Sequence, residues 1–377
     1  MSLTFLDFFA GVGGFRRGME MAGHTCLGHC EIDKYANMSY KEIHQPREEE
    51  WFGTDIRRTN ADELPRADVW CFGFPCQDIS VAGKQLGFKG QRSSLFFTVT
   101  RLIRDTKEED RPKYLFIENV KNLLSVNGGS DFLKLLIELD EIGYDAEWQV
   151  LNSKNFGVPQ NRERVFIIGH LRGRSGRKVF PIGGTDEKDN IRKIITVGKW
   201  EGTNRHTGQR IYSINGVFST LATKNHINDV AKIAIPVLTP NRINKRQNGR
   251  RFKESGEPMY TLTAQDRHGV LIRNATSQGY LVAHPGDGID LENPNSNTRR
   301  GRVQPQSCQT LNTSDTKGVL TQDYRIRKLT PKECWRLQGW KDEDFEKAAK
   351  VCSDSQLYKQ AGNGVTVPVI YEIAKRL

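Results

Sequence analysis

Residues 68–77 read Asp68-Val69-Trp70-Cys71-Phe72-Gly73-Phe74-Pro75-Cys76-Gln77, and this stretch indicates the fold. The apolar run before Gly73 predicts a short buried strand. A cysteine on the turn that leaves such a strand points into the crevice at the carboxyl edge of an open α/β sheet, where these sheets bind ligands. Pro75 fixes one backbone dihedral angle, and Gly73 allows close approach of a ligand. Cys76 is therefore a candidate nucleophile, and the alternative is a cysteine that only packs at a strand end.

Strand and helix patterns alternate on both sides of this run. Strand patterns cover residues 3–9, 26–31, 69–72, 114–118 and 165–169. Helical spacing covers residues 15–22, 95–104 and 132–142. This alternation predicts an α/β fold with a doubly wound, mostly parallel sheet and helices on both faces.

The composition changes near residue 172. From there to about residue 325, Gly, Asn, Arg and Thr dominate, and short apolar runs alternate with turn residues, which predicts a β- and loop-rich second domain. Helical spacing resumes at Pro331, with Thr330 as N-cap and Glu333 three residues later. A weak repeat begins at Thr220-Leu221, Thr261-Leu262 and Thr310-Leu311. It indicates either similar hairpins of one β domain or several copies of a DNA-reading loop.

The chain of 377 residues carries a net charge of +11, with a pI near 9.3. This balance favours a polyanionic partner, and nucleic acid is the first candidate. Basic clusters at 172–178, 242–253 and 299–302 form either solvated loops or a phosphate-contacting face. No apolar stretch is long enough for a membrane span, and the seven cysteines lack a disulfide framework, so we expect a reducing compartment, no membrane and no metal site.

Acidic residues follow two of the predicted strands. The glycine turn at residues 11–14 lacks the dinucleotide-binding spacing, and there is no P-loop. Glu31 follows the second strand, where acids of doubly wound folds commonly hold ribose hydroxyls, and Asp55 lies in the same part of the fold. Together these residues predict a site for an adenosine-bearing cofactor without a phosphate clamp.

Three further side chains are expected at the sheet edge that carries Cys76. Glu118 lies at the end of an apolar strand, and Arg162 and Arg164 precede another. Each of them also has a purely structural interpretation. A nucleophile, an acid and two cations at one crevice nevertheless match an active site.

Ordered blocks of sequence resemble the DNA (cytosine-5) methyltransferases of bacterial or phage type. They span residues 4 to about 370 and lie at 7–15, 73–77, 118–120, 160–164, 327–334 and 362–365. The resemblance implies a Rossmann-like fold that binds S-adenosylmethionine, with a smaller target-recognition domain. We expect the catalytic domain at 1–172 plus 353–377, the recognition domain at 173–325 and a hinge-like segment at 326–352.

The resemblance also implies a reaction. Cys76 would add to C6 of a cytosine flipped out of duplex DNA, and C5 would then take the methyl group. Glu118 would hydrogen-bond the base at N3 and its exocyclic amine. Arg162 and Arg164 would hold the base carbonyl and a nearby phosphate, and their charge would favour the thiolate.

Cofactor and DNA contacts follow from the same resemblance. The glycine loop would line the cofactor, Glu31 would take the ribose, and other residues would hold the adenine and the methionine part. The implied cofactor residues are Phe9, Gly11, Gly13, Glu31, Ile32, Asp55, Ile56, Pro75, Leu95, Asn363 and Val365. The implied DNA contacts are Gln77, Ser80, Arg92, Thr310 and Leu311.

Two other functions remain open at this point: a cytosine-5 methyltransferase that acts on tRNA, and a DNA-binding protein without catalysis. The long basic second region favours duplex DNA as the partner. We further expect a monomer in the cytoplasm of a bacterial cell or a phage-infected host. A restriction endonuclease encoded nearby is a further candidate partner.

Overall fold

The computed structural model describes residues 2–74, 95–174, 177–183, 268–322 and 326–377, together with the backbone of 234–238. The chain divides into two compact units. Unit 1 consists of Met1–Val158, Arg162–Asn190 and Trp335–Leu377, and unit 2 of Pro159–Asn161 and Ile191–Cys334. Several predicted residues lie outside the described ranges: Pro75, Cys76, Gln77, Ser80, Arg92, Thr220-Leu221 and Thr261-Leu262.

One large sheet organises unit 1. Its strands, with the short β7 of unit 2 in chain order, are β1 (Thr4–Phe8), β2 (Thr25–Cys30), β3 (Trp51–Gly53), β4 (Val69–Phe72), β5 (Tyr114–Val120), β6 (Tyr144–Asn152), β7 (Gln160–Asn161) and β8 (Glu163–Leu171). The sheet order is β3-β2-β1-β4-β5-β8-β6. Strands β1 to β5 pair in parallel, whereas β8 runs antiparallel to both of its neighbours. The predicted doubly wound, mostly parallel sheet is confirmed.

Helices cover both faces of this sheet, which explains why almost every residue of its central strands β4 and β5 is buried. The helices are α1 (Gly14–Met21), α2 (Lys34–His44), α3 (Leu95–Asp105), α4 (Ser130–Glu141), α5 (Pro331–Leu337), α6 (Asp342–Ala349), α7 (Asp354–Asn363) and α8 (Val367–Ala374). In β4, Trp70 and Phe72 face the core layer that includes α3 and α4, while Val69 and Cys71 face the layer that includes α1 and α8. Alternate residues of each strand therefore supply two separate cores.

The predicted start of α5 is confirmed in detail. The backbone N–H of Glu333 donates to the Thr330 hydroxyl at 3.2 Å, and the backbone N–H of Thr330 donates to the Glu333 carboxylate at 2.8 Å. This reciprocal pair is a capping box, which satisfies two donors that the first helical turn leaves over.

The two ends of unit 1 meet at one histidine. Nδ1 of His24 accepts a hydrogen bond from the backbone N–H of Leu3 at 3.1 Å, so its Nε2–H donates to the carbonyl of Ala374 at 3.0 Å. Nearby, α8 crosses α1 at Gly18, where an added Cβ would come within 2.6 Å of Ile370. The C-terminal helices are thus part of the same compact unit as β1.

Unit 2 is built of short strands, and the predicted β- and loop-rich second domain is confirmed. Its further strands are β9 (Ala234–Leu238), β10 (His268–Arg273), β11 (Tyr280–Ala283), β12 (Gly288–Asp290), β13 (Val303–Gln304), β14 (Cys308–Gln309), β15 (Lys317–Leu320) and β16 (Ile326–Lys328). They form sheets ordered β11-β10-β9 and β13-β12-β15-β16, and β14 pairs in parallel with β7.

The basic cluster at 299–302 is largely committed to contacts within unit 2. Arg302 is only 1% exposed, and Arg299 is paired with Asp290. Both cations are committed to internal contacts of unit 2, which leaves Arg300 as the exposed member of the cluster.

No helix in the described ranges is long and apolar enough to cross a membrane.

Candidate cofactor and catalytic site

A cavity of about 480 Å³ opens at the carboxyl ends of the parallel strands of unit 1. The segments after β1, β2, β3 and β4 contribute to it, as do the end of β5, the residues around the start of β8 and the end of α7. The lining residues are Phe9, Gly11, Val12, Cys30, Glu31, Ile32, Asp33, Ala36, Thr54, Asp55, Ile56, Arg57, Gly73, Phe74, Leu95, Glu118, Val120, Arg162, Arg164, Gln356, Lys359, Gln360, Gly362, Asn363 and Gly364.

The loop after β1 has an unusual backbone. Phe9 has a φ of 55°, Gly11 of 57° and Gly13 of 84°. A Cβ on Gly13 would lie 2.2 Å from Nε2 of His44 and 2.8 Å from the ring of Tyr40, whereas a Cβ on Gly11 would meet nothing within 4 Å. Gly13 is therefore required by the protein itself, and Gly11 leaves open space beside the cavity that it lines.

Glu31 fixes this loop from the end of β2. Its Oε2 accepts a hydrogen bond from the backbone N–H of Gly11 at 2.7 Å, and its Oε1 accepts one from the backbone N–H of Asp33 at 2.7 Å. Burial raises the pKa of Glu31, although the two backbone donors oppose that rise. The carboxyl group thus holds the two loops that flank the cavity.

The next residues provide an apolar surface beside a carboxylate. Ile32 is 68% exposed although it is large and apolar, and it lines the cavity. Asp55 forms an ion pair of 2.7 Å with Arg57, and that hydrogen bond keeps the pKa of Asp55 below its usual range. Ile56 also lines the cavity, and it packs into the core behind it. A flat, partly apolar ring with polar edges fits this arrangement.

Helix α7 contacts the start of α2 at the rim of the cavity. Lys359 Nζ lies 2.6 Å from Oδ2 of Asp33, whose other oxygen caps α2. Gln360 donates to the carbonyl of Tyr35 at 3.1 Å and accepts from Ser39 at 3.1 Å. These contacts fix the end of α7, where Gly362, Asn363 and Gly364 line the cavity.

The part of the cavity next to Gly73 contains an ion pair. Arg164 Nε lies 3.1 Å from Oε1 of Glu118, and both side chains are mostly buried. The pair results from the antiparallel register of β5 and β8, in which Glu118 is opposite Phe166 and Val120 is opposite Arg164. Residues 164 and 166 share a face, so Arg164 reaches Glu118 diagonally. Gly73 adjoins this pair, since its Cβ would lie 3.2 Å from Oε2 of Glu118.

Arg162 and Asn119 position the surrounding backbone. Arg162 is 3% exposed, and its Nη2 donates to the carbonyls of Gly364 at 2.9 Å and Gly362 at 3.3 Å. Asn119 is buried, and its Nδ2 donates to the carbonyl of Phe74 at 3.0 Å. Phe74 comes two residues before Cys76 in the sequence.

Most of the predicted site residues in unit 1 lie together. Those that line the one cavity are Phe9, Gly11, Glu31, Ile32, Asp55, Ile56, Leu95, Glu118, Arg162, Arg164 and Asn363. Gly13 and Val365 are not among the residues that line this cavity. A Cβ on Gly14 would come within 2.6 Å of Val365, so Val365 packs against the start of α1. The sequence interpretation missed Asp33 and Lys359 at the rim and the buried Asn119. The N-cap position of Asp33 before a helix was the one signal that could have indicated it.

Thr310 and Leu311 belong to unit 2. The Thr310 hydroxyl donates to the carbonyl of Asn161 at 2.8 Å, and the backbone N–H of Leu311 donates to Gln160 at 3.1 Å. The Leu311 side chain is buried. DNA contact by these residues stays a prediction. Within the described part of the chain, no group of three His, Cys, Asp or Glu residues is placed to hold a metal ion.

Comparison with known proteins identifies the family. Residues 3–377 match the model of the C-5 cytosine-specific DNA methylases. The chain belongs to this family. It is 31% identical to the orphan methyltransferase M.SPBetaI of Bacillus phage SPbeta, over 100% of this chain and 97% of that protein. It is 30% identical to the type II methyltransferase M.BanI of Aneurinibacillus aneurinilyticus, over 100% of this chain and 96% of that protein.

Solved structures share the fold. A putative DNA modification methyltransferase encoded within an E. coli prophage aligns with a TM-score of 0.55 at 17% identity, over 99% of this chain and 98% of that one. The methyltransferase EhMeth of Entamoeba histolytica aligns with a TM-score of 0.52 at 15% identity, over 99% and 96%. The chain is a DNA cytosine-5 methyltransferase, as its sequence resemblance predicted.

Proposed function

We propose that this methyltransferase transfers the methyl group of S-adenosylmethionine to C5 of a cytosine flipped out of a specific duplex DNA sequence, through a covalent adduct between Cys76 and C6. One observation carries the proposal. A single cavity joins an adenosine-type pocket to the ion pair of Glu118 and Arg164, and Gly73 and Phe74, which lead into Pro75-Cys76 in the sequence, line it.

The residues of the cavity fit the cofactor chemically. Glu31 would hold the ribose, Ile32 would cover one adenine face, and Asp55 with Ile56 would meet the adenine edge. The glycine loop would allow close approach through Gly11. The remaining cofactor contacts that we assign are Phe9, Pro75, Leu95 and Asn363. Gly13 and Val365 would support the cofactor site through the residues next to them, Val12 and Gly364, which line the cavity. When bound, S-adenosylmethionine supplies an electrophilic methyl group.

The protein residues would then divide the work on the base. The Cys76 thiolate forms a bond to C6, which moves electron density to C5 so that C5 can accept a methyl group. A water molecule then takes the C5 proton, the electron pair of that C–H bond forms the C5–C6 double bond, and cleavage of the C6–S bond returns the thiolate. Glu118 hydrogen-bonds N3 and the exocyclic amine, and Arg164 orients Glu118 through the 3.1 Å contact. Arg162 is committed to backbone carbonyls, so it would act beside the base from a fixed position.

The division of the chain follows the same proposal. Unit 1 would perform catalysis, and unit 2 would recognise the target, with residues 326–352 as the hinge-like segment. Gln77, Ser80, Arg92, Thr310 and Leu311 are assigned to DNA contact. We propose a monomer, and a cognate restriction endonuclease encoded nearby is the partner to test for.

Methyl incorporation tests the proposal. Radiolabelled S-adenosylmethionine is offered with duplex DNA or with tRNA, for the wild-type chain and Cys76→Ala. We expect label in DNA only, lost in Cys76→Ala while DNA binding is retained. Label in tRNA alone would contradict the choice of substrate, and full activity of Cys76→Ala would contradict the covalent mechanism. An inactive wild-type chain that binds DNA would favour the non-catalytic alternative.

A further inference from the structure

A long hairpin loop of unit 2 carries exposed polar side chains on a rigid base. Residues 291–302 connect β12 to β13, which pair antiparallel with Ile289 opposite Val303. The backbone N–H of Asp290 donates to the carbonyl of Arg302 at 2.8 Å, so the pairing continues to the base of the loop.

A buried arginine fixes that base. Arg302 is 1% exposed, its Nη1 donates to the carbonyls of Asp290 at 3.1 Å and Glu292 at 2.9 Å, and its Nη2 donates to the carbonyl of Asn293 at 2.7 Å. A buried guanidinium must keep such partners, because losing them would leave its charge unsatisfied. The conformation of residues 290–293 is therefore strongly specified.

Ion pairs connect Arg299, near the C-terminal end of the loop, to Asp290 and Glu292 at its N-terminal end, and connect Asp290 in turn to β15. Asp290 accepts from Arg299 at 2.5 Å and from Lys317 of β15 at 2.9 Å, and the same Arg299 lies 2.7 Å from Glu292. The side chains of Asp290 and Lys317 are only 4% and 5% exposed. Low exposure limits screening of the pair between Asp290 and Lys317, and removing either partner would leave a buried charge uncompensated.

The tip of the loop presents amides that the protein does not use. Ser296 organises the turn, since its hydroxyl accepts from the backbone N–H groups of Thr298 at 3.3 Å and Arg299 at 3.1 Å. Asn295 and Asn297 are exposed, and their side-chain amides make no hydrogen bond to the described residues. Arg300 is exposed beside them and adds a positive charge, and its Nε donates to the carbonyl of Ala275 at 3.0 Å.

Polar side chains of the segment after Leu311 do have partners within the protein. The Asn312 side chain donates to the Thr316 hydroxyl at 2.9 Å and accepts from Ser314, and Asp315 lies 2.7 Å from Lys328. Its polar groups are already committed to each other. The loop at 291–302 is thus the better candidate for contacts to an external ligand.

We propose that the loop at 291–302 reads base edges of the target DNA, with Asn295 and Asn297 as specificity-determining residues. A side-chain amide presents one donor and one acceptor side by side, which matches N6 and N7 of adenine in the major groove. A β-hairpin can enter that groove, and a reading element must be held rigidly. Arg300 contacts the phosphate backbone, which positions the loop without selecting sequence. This inference rests on the proposed function.

The test measures discrimination between base pairs. Bisulfite sequencing of DNA from cells that express the wild-type chain first gives its target. Purified wild-type and Asn295→Ala/Asn297→Ala proteins then methylate short duplexes that carry the target or one substituted base pair. We expect discrimination in kcat/KM to fall about tenfold at one or two base pairs and to stay unchanged at the others. Binding to unrelated duplex should change less than about twofold, because phosphate contacts dominate it.

Controls separate the possible failures. Asn312→Ala should keep the wild-type profile. If it relaxes discrimination and the double variant does not, the reading element lies after Leu311 and the inference is wrong. An unchanged profile in the double variant overturns the inference whether or not the overall rate falls. If the double variant melts earlier, Asn295→Gln and Asn297→Gln retain the amides but displace them, and the same profile decides. A wild-type chain that methylates no sequence refutes the proposed function itself.

Discussion

Two glycines of the loop after β1 separate what the protein requires from what the cofactor requires. Gly13→Ala would place a Cβ 2.2 Å from His44 and 2.8 Å from Tyr40 at a φ of 84°. His44 is held by a 3.0 Å contact with the carbonyl of Val12, and Tyr40 is fully buried, so neither ring moves away easily. The left-handed backbone costs about 1–2 kcal/mol and the overpacking about 1–3 kcal/mol. We therefore expect a loss of about 2–5 kcal/mol, or roughly 5–10 °C in Tm.

Gly11→Ala should behave differently. Its φ is 57°, so the backbone cost is about 1–2 kcal/mol, but the new Cβ meets no atom within 4 Å. The methyl group instead takes up space beside the cavity. We expect the Kd for S-adenosylmethionine to rise about tenfold or more, which corresponds to about 1.4 kcal/mol.

Thermal unfolding without cofactor and calorimetric titration with S-adenosylmethionine check both expectations. Gly23→Ala is the matched control, because Gly23 has a φ of 90°, nothing lies within 4 Å of its Cβ, and it does not line the cavity. It should lose stability as Gly11→Ala does and bind cofactor normally. The reasoning is refuted if Gly13→Ala melts within about 2 °C of the wild type. It is equally refuted if Gly11→Ala binds the cofactor as the wild type does.

Three further perturbations test other parts of unit 1. Gly73→Ala places a Cβ 3.2 Å from the Glu118 carboxylate and should slow single-turnover methyl transfer about tenfold at unchanged Tm; an unchanged rate would contradict the proposed role of Glu118. Lys359→Met removes the 2.6 Å ion pair with Asp33 and should weaken S-adenosylmethionine binding about two- to fivefold. If Lys359→Met weakens binding by the same factor in an Asp33→Asn variant, the effect does not depend on the ion pair with Asp33. Burial lowers the pKa of His29 to about 4, so between about pH 6.5 and pH 4 the unfolded chain binds a proton at this side chain and the folded chain does not. The free energy of unfolding therefore decreases as the pH is lowered through this range. His29→Phe should therefore reduce the loss in urea-unfolding free energy between pH 7.5 and 5 by about 2 kcal/mol, and equal losses would refute this assignment.

The central strands were predictable because they are buried on both faces. Strand β4 is apolar throughout, and β5 begins with the apolar run 114–117, so a buried strand is the element that fits both. Strand β6 was missed because it lies at the sheet edge, where exposed and buried residues alternate irregularly. Helix α2 was missed because the N-cap signal of Asp33, directly before the helix, was not used.

The sequence predicts which residues belong to the site, but it does not predict which of their side chains contact each other. The carboxyl ends of parallel strands meet at one edge, so the approximate grouping of Glu31, Asp55 and Glu118 follows from the strand pattern. The contact of Arg164 with Glu118 depends on an antiparallel register, and a periodic pattern carries no strand direction. The contacts of Arg162 with the end of α7 join residues 200 or more positions apart, which local spacing cannot indicate.

The return of the C-terminal helices to unit 1 has a consequence for biosynthesis. A ribosome reaches α7 and α8 only after it has translated the whole of unit 2. Until then the nascent chain lacks the wall of the cavity formed by Lys359 to Gly364, and His24 has no carbonyl of Ala374 to bond. A chain that stops before α7 would therefore be inert rather than partly active. Methylation of DNA would begin only after α7 and α8 have been translated.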